Sequence, residues 1–114
     1  MSASLTLAID VRTGARFFRV LGDPTRLRIL ELLHRGERSV GELVAAVGQP
    51  QPRVSTHLAC LRQCGFVTTQ RRGREVVYQL VLDGVDGLLG EAAAVIAPIG
   101  RDLATCTRIG PKWI

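Results

Sequence analysis

The sequence predicts a mainly α-helical domain with one β-hairpin, a winged helix-turn-helix, paired with a second copy through its terminal helices. Three observations predict it. Two short helical segments meet at a Gly-bearing turn within residues 39–64. Two β-rich runs joined by Arg71-Arg72-Gly73-Arg74 follow directly, over residues 66–82. Apolar helical stretches at 5–22 and 84–104 bracket this unit and have no other surface to cover in so small a domain.

Each element has its own signal. Phe17, Phe18 and Leu21 suggest a first helix that ends near Gly22. Asp23-Pro24 reads as an N-cap followed by proline at the first helical position. Leu27, Ile29, Leu30, Leu32 and Leu33 form the apolar face of that second helix, and Gly36 stops it. Ser39 and Glu42 have capping-box spacing and open a short helix containing Leu43, Val44 and Val47, closed by Gly48. Gln49-Pro50-Gln51 reads as a tight turn. The next helix spans Pro52–Cys64, with Val54, Leu58 and Leu61 inward and Gly65 at its end. The runs Phe66–Gln70 and Glu75–Leu82 alternate as a half-buried hairpin does. Val85, Leu88, Leu89, Ala92, Val95, Ile96 and Ile99 recur at helical spacing in a last helix, weakened by Gly87 and Gly90 and ended or bent near Pro98.

The chain has 114 residues, enough for one domain over residues 1–114 with a tail at 105–114. Apolar residues make up 46% and charged residues 22%, a globular balance. The net charge of +5 suggests a polyanionic partner without choosing among DNA, RNA and membrane. Residues 1–10 lack a basic lead and a cleavage site, and the apolar run 92–99 is too short to span a bilayer. A cytoplasmic location with no membrane partner is expected. There the three cysteines would be reduced, and their odd count argues against a closed disulfide framework.

In a helix-turn-helix the second helix enters the major groove with its N-terminal residues against the bases. Those residues are Gln51, Arg53, Ser55, Thr56 and His57. Arg and Gln match guanine and adenine edges bidentately, and Ser55 and Thr56 suit phosphates or bases. Arg71, Arg72 and Arg74 sit at the expected hairpin tip, where cations meet phosphates or an adjacent minor groove. A solvated helix face and an ordinary charged turn would look the same in isolation; the order of elements around them favours double-stranded operator DNA. His57 is open between a phosphate contact and a satisfied, partly buried histidine.

The stretches Asp23-Pro24-Thr25-Arg26-Leu27-Arg28-Ile29-Leu30, Ser39–Leu43, Val54-Ser55-Thr56-His57-Leu58 with Leu61, and Arg72-Gly73-Arg74 through Tyr78 resemble the ArsR/SmtB family of metal-responsive winged-helix repressors. The resemblance runs from Ala15 to Leu89. It implies a homodimer that represses a promoter when metal-free and leaves DNA on binding its effector. Cys60-Leu61-Arg62-Gln63-Cys64 resembles the cadmium/lead-sensing branch, in which two cysteines end the recognition helix and a third lies near the C-terminus. That likeness implies Cys60, Cys64 and Cys106 as metal ligands, the last donated by the other protomer. A mercury-responsive repressor of the same family is similar enough to stand beside it.

The chemistry agrees. Cys60 and Cys64 are four residues apart, so on a helix their Cβ atoms lie about 5–6 Å from each other. A sulfur-only donor set favours soft ions, and three sulfurs disfavour structural zinc, which takes four ligands. Cadmium, lead or mercury is the expected effector, with no organic cofactor. Two small buried cysteines acting as hydrophobes would give the same spacing. Two further alternatives are a thiol redox repressor of the same fold and a constitutive DNA-binding protein with inert cysteines. A thiol enzyme using His57 beside Cys60 lacks an oxyanion loop, an orienting acid and a substrate pocket, and no enzymatic activity is expected.

Overall fold

Local capping chemistry sets where the helices begin. The structure, a computed structural model, describes residues 9–81 and 84–110. The Asp10 carboxylate accepts from the Thr13 backbone N–H at 3.2 Å and starts α1 (Val11–Leu21). Asp23 Oδ1 accepts from the N–H groups of Thr25 and Arg26 at 2.8 and 3.1 Å and starts α2 (Pro24–His34), with Pro24 at the helix start. Arg38–Ser39 forms a short strand, β1. Ser39 and Glu42 then make the reciprocal capping box that opens α3 (Val40–Val47). Gly48 ends α3 with φ 74, a conformation glycine adopts without strain.

The second helix of the helix-turn-helix, α4, spans Gln51–Gln63. It ends in a Schellman arrangement: Phe66 N–H donates to Leu61 C=O at 2.9 Å and Gly65 N–H to Arg62 C=O at 3.1 Å, with Gly65 at φ 85. The strands β2 (Val67–Arg72) and β3 (Glu75–Leu80) pair antiparallel from Val67↔Leu80 to Arg72↔Glu75. Their two-residue loop is Gly73-Arg74, with Gly73 at φ 63. β1 adds to the far side of β3, Arg38 opposite Tyr78 and Ser39 opposite Val77, giving the order β1-β3-β2. The C-terminal region is α5 (Val85–Ile96), a 3₁₀ turn at Ala97–Ile99 and α6 (Gly100–Thr105).

The core lies between α2, α3 and α4. Ile29, Leu30, Leu43, Val54, Leu58 and Leu61 are fully buried there. Phe66, 3% exposed, closes the edge by stacking on Phe17 of α1, ring centroids 5.4 Å apart. Thr25 is buried and accepts from Gln49 Nε2 at 2.9 Å, which pins the helix-turn-helix turn to the start of α2. Among the described residues no helix is long and apolar enough to cross a membrane.

Several expected boundaries move. Ile9 and Asp10 are not helical, so the first helix begins at its Asp10 cap rather than at residue 5; residues 5–8 lie outside the described residues. Gln51 belongs to α4, with Pro50 at its N-cap, so the turn before it is one residue shorter than expected. β2 extends to Arg72, which puts Arg71 and Arg72 on a strand and leaves Arg74 alone of the three at the tip. The last helix breaks near Pro98 as expected, because the proline ring and missing N–H interrupt the α-helical ladder. Residues 82, 83 and 111–114 of the expected wing, linker and tail lie outside the described residues.

Candidate nucleic-acid interface and thiol site

The N-terminal half of α4 presents Gln51, Arg53, Ser55 and Thr56 to solvent, while Val54 and Leu58 on the opposite face are buried. This division is helical periodicity made concrete: the core fixes the helix roll, and the roll fixes which polar side chains project. No side chain caps α4, so its first N–H groups are left without a side-chain partner. Thr56 Oγ1 donates to Pro52 C=O at 2.9 Å, which uses its proton and leaves the oxygen as an acceptor.

His57 is turned inward. Its side chain is 13% exposed, with Nε2 3.8 Å from Asp23 Oδ1 and Nδ1 3.4 Å from an Arg26 guanidinium nitrogen. Arginine can only donate, so Nδ1 is the acceptor of that contact and the ring proton of neutral His57 faces Asp23. The ring braces α4 against the cap of α2.

Arg26 does more than touch His57. Its Nε donates to Val20 C=O at 2.6 Å and a terminal nitrogen to Arg19 C=O at 3.1 Å. One side chain of α2 thus satisfies carbonyls at the end of α1 and reaches α4. Neither role has a local sequence signal.

The wing carries exposed Arg71 and Arg74. Arg72 is exposed but engaged: it pairs with the Glu37 carboxylate and donates to Gln70 Oε1 at 2.9 Å. Glu37 Oε1 also accepts from Gln79 Nε2 at 3.4 Å. Glu37 therefore ties both wing strands to the segment leading into β1, a role the sequence did not signal.

The C-terminal half of α4 carries the thiols. Cys60 is half-buried and Cys64, at the helix C-cap, is exposed. The two side chains line the same groove. Burial pushes the Cys60 thiol above its ordinary pKa; the Arg26 guanidinium opposes that shift, and Cys64 adds to it. Cys106 is exposed at the end of α6. Among the described residues, no group of three His, Cys, Asp or Glu within one chain is placed to hold an ion. The chain brings Cys60 and Cys64 together, and Cys106 does not join them in the same protomer. Beside the pair lies a groove of about 650 Å³ whose walls include Arg16, Phe17 and Arg19 of α1, and Phe66.

A solvent-facing reading helix behind a helix-turn-helix turn, with a basic hairpin after it, defines a winged-helix DNA-binding regulator. The comparisons give the family: the profile of the bacterial regulatory proteins of the arsR family matches residues 23–69, and this chain belongs to that family. It is 45% identical to the "Probable mercury resistance operon repressor" of Streptomyces lividans, over 85% of this chain and 78% of that one. The NMR structure of the cadmium metal-sensor CMTR from Mycobacterium tuberculosis is 44% identical with a TM-score of 0.61, over 72% of this chain and 85% of that one. The crystal structure of Rv0081 from M. tuberculosis is 36% identical with a TM-score of 0.74, over 83% of this chain and 96% of that one. The family is one of transcriptional regulators, not of enzymes.

Proposed function

We propose that this chain is a cytoplasmic, homodimeric repressor that binds double-stranded operator DNA when metal-free and releases it when a soft thiophilic ion is bound. Cys60 and Cys64 would hold the ion, with Cys106 of the partner subunit as a third ligand. The observation that carries the reading is the position of the thiol pair. The neighbouring cysteines occupy the last turn and C-cap of the same helix whose first turns present Gln51, Arg53, Ser55 and Thr56. The donor set fits a soft ion: two sulfurs on one helix face, with no histidine or carboxylate completing a harder site among the described residues. The similarity to a repressor named for mercury and a sensor named for cadmium favours Hg(II) or Cd(II), and the sulfur-only donor set keeps soft Pb(II) beside them.

Pairing is supported by apolar side chains left in solvent on the C-terminal helices: Val95, Ile96, Ile99 and Leu103 are 41–65% exposed. An effector acting through α4 must favour a conformation in which the two reading helices no longer match their half-sites. A coupling of ~1–3 kcal/mol would weaken operator binding about 5–150-fold.

The test is a titration of Cd(II), Pb(II) and Hg(II) into the protein–operator complex, followed by fluorescence anisotropy. Release by at least one ion in the native protein, lost in Cys60→Ser and Cys64→Ser, is the expected result. Retention of DNA with all three ions overturns the proposal.

A further inference from the structure

We propose that the arginine-lined groove beside Cys60 and Cys64 binds a small anionic thiol, which brings the soft ion to the site and stays as one of its sulfur ligands. This rests on the reading of Cys60 and Cys64 as metal ligands and adds a ligand to it.

Three observations support the groove as a binding site. First, one chain gathers only two sulfurs, and no third ligating side chain joins them among the described residues. Second, the groove's volume of about 650 Å³ is that of a small-molecule site. Third, its chemistry is one-sided. Arg16 and Arg19 lie three residues apart on α1 and both line it, and no carboxylate does. Arg26 also lines it but is committed to two backbone carbonyls and His57. Arg16 and Arg19 are therefore the guanidiniums that can fork onto carboxylates. The rings of Phe17 and Phe66 give the groove an apolar wall for the body of such a molecule.

The exchange balances without an oxidant. A neutral dithiolate complex M(SR)₂ meets the thiols of Cys60 and Cys64, and two new metal–sulfur bonds form while one breaks. One thiol proton leaves on the displaced RSH and the other passes to solvent. The product holds M through Cys60, Cys64 and the remaining RS⁻ and carries one more negative charge at the metal centre, next to the arginines. Free soft ions are scarce wherever thiols are plentiful, so a site that accepts the ion with its carrier need not wait for a bare ion.

The experiment uses the full chain and three thiols of different charge: glutathione with two carboxylates, neutral 2-mercaptoethanol and cationic cysteamine. Each is added with Cd(II), and Cd(II) is also added alone. Thiolate-to-cadmium absorption reports metal binding, and native mass spectrometry reports retained thiol. The expected result is one glutathione retained per cadmium site, with little retention of the other two. The double variant Arg16→Gln, Arg19→Gln should retain glutathione about tenfold more weakly while its absorption with Cd(II) alone is unchanged, which also shows that it folds. Equal retention of all three thiols, undiminished retention in the double variant, or a cadmium adduct that never carries thiol overturns the proposal and leaves the metal site standing. Absence of the absorption with Cd(II) under every condition overturns both readings.

Discussion

The guanidinium of Arg26 meets the imidazole of His57 across the α2–α4 boundary, 3.4 Å from nitrogen to nitrogen. These residues lie 31 positions apart in sequence, and the same guanidinium closes the end of α1 through the carbonyls of Val20 and Arg19. The contact therefore joins three helices at a point between the reading residues and the thiols.

Replacing Arg26 tests that junction. Arg26→Gln should destabilise the fold by about 1–3 kcal/mol, because charge-assisted bonds to partly buried carbonyls are lost together. Arg26→Lys should recover little, since one ammonium cannot fork to the same set of acceptors. Urea unfolding of the variants beside the native protein measures both.

The reading helix and the wing should separate in their effects on DNA. Arg53→Ala is expected to cost about 1–3 kcal/mol and to relax preference at one base position. Arg71→Ala should weaken all sequences alike and reduce the salt slope by about 1. Arg72→Ala should behave differently again, because its partner is Glu37: it loosens the wing's attachment as well as removing a charge. Anisotropy titrations at several salt concentrations, on operator and scrambled duplexes, distinguish the three.

The capping box predicts a pH dependence. The Ser39 backbone N–H and then its hydroxyl hold the Glu42 carboxyl below its ordinary pKa. A lowered folded-state value means that the ionised form contributes stability above the unfolded pKa of about 4.3 and loses it as pH falls through the folded value. Glu42→Gln keeps an acceptor for the Ser39 N–H but cannot titrate. The urea midpoint of the native protein should fall more steeply than that of the variant between about pH 5 and pH 3.

The exposed C-terminal apolar residues give a test of assembly. Val95→Asp combined with Leu103→Asp should weaken self-association about tenfold or more, by setting charges on a face that otherwise buries apolar surface. Sedimentation over a concentration series reads it directly.

The features legible in the sequence are those written within a few residues. Asp23-Pro24, the Ser39/Glu42 pair, Gly48, Gly65 and Gly73 each encode a cap or a turn, and the structure places each where local chemistry puts it. The core positions Val54, Leu58 and Leu61 follow from helical period alone. What stayed hidden joins distant parts of the chain: Gln49 with Thr25, 24 residues away, and Gln79 with Glu37, 42 residues away. The strand β1 was missed because two residues carry no periodicity and owe their extended form to pairing with β3. Arg72 read as a free cation because its partner Glu37 is remote in sequence. The inward turn of His57 likewise needed α2 in place beside it.

The cysteines and the exposed polar side chains of Gln51, Arg53, Ser55 and Thr56 stand at opposite ends of one 13-residue helix, about 20 Å long. Substitutions in its last turn need not disturb its first, since Val54, Leu58 and Leu61 hold the rod's orientation from the other side. With the proposed function, such an arrangement would let descendants of one gene change what they respond to while keeping the promoter they control, or keep the response and move to another promoter. For an engineer it would make the last turn of α4 a cassette, in which new donor atoms could be installed without rewriting the operator.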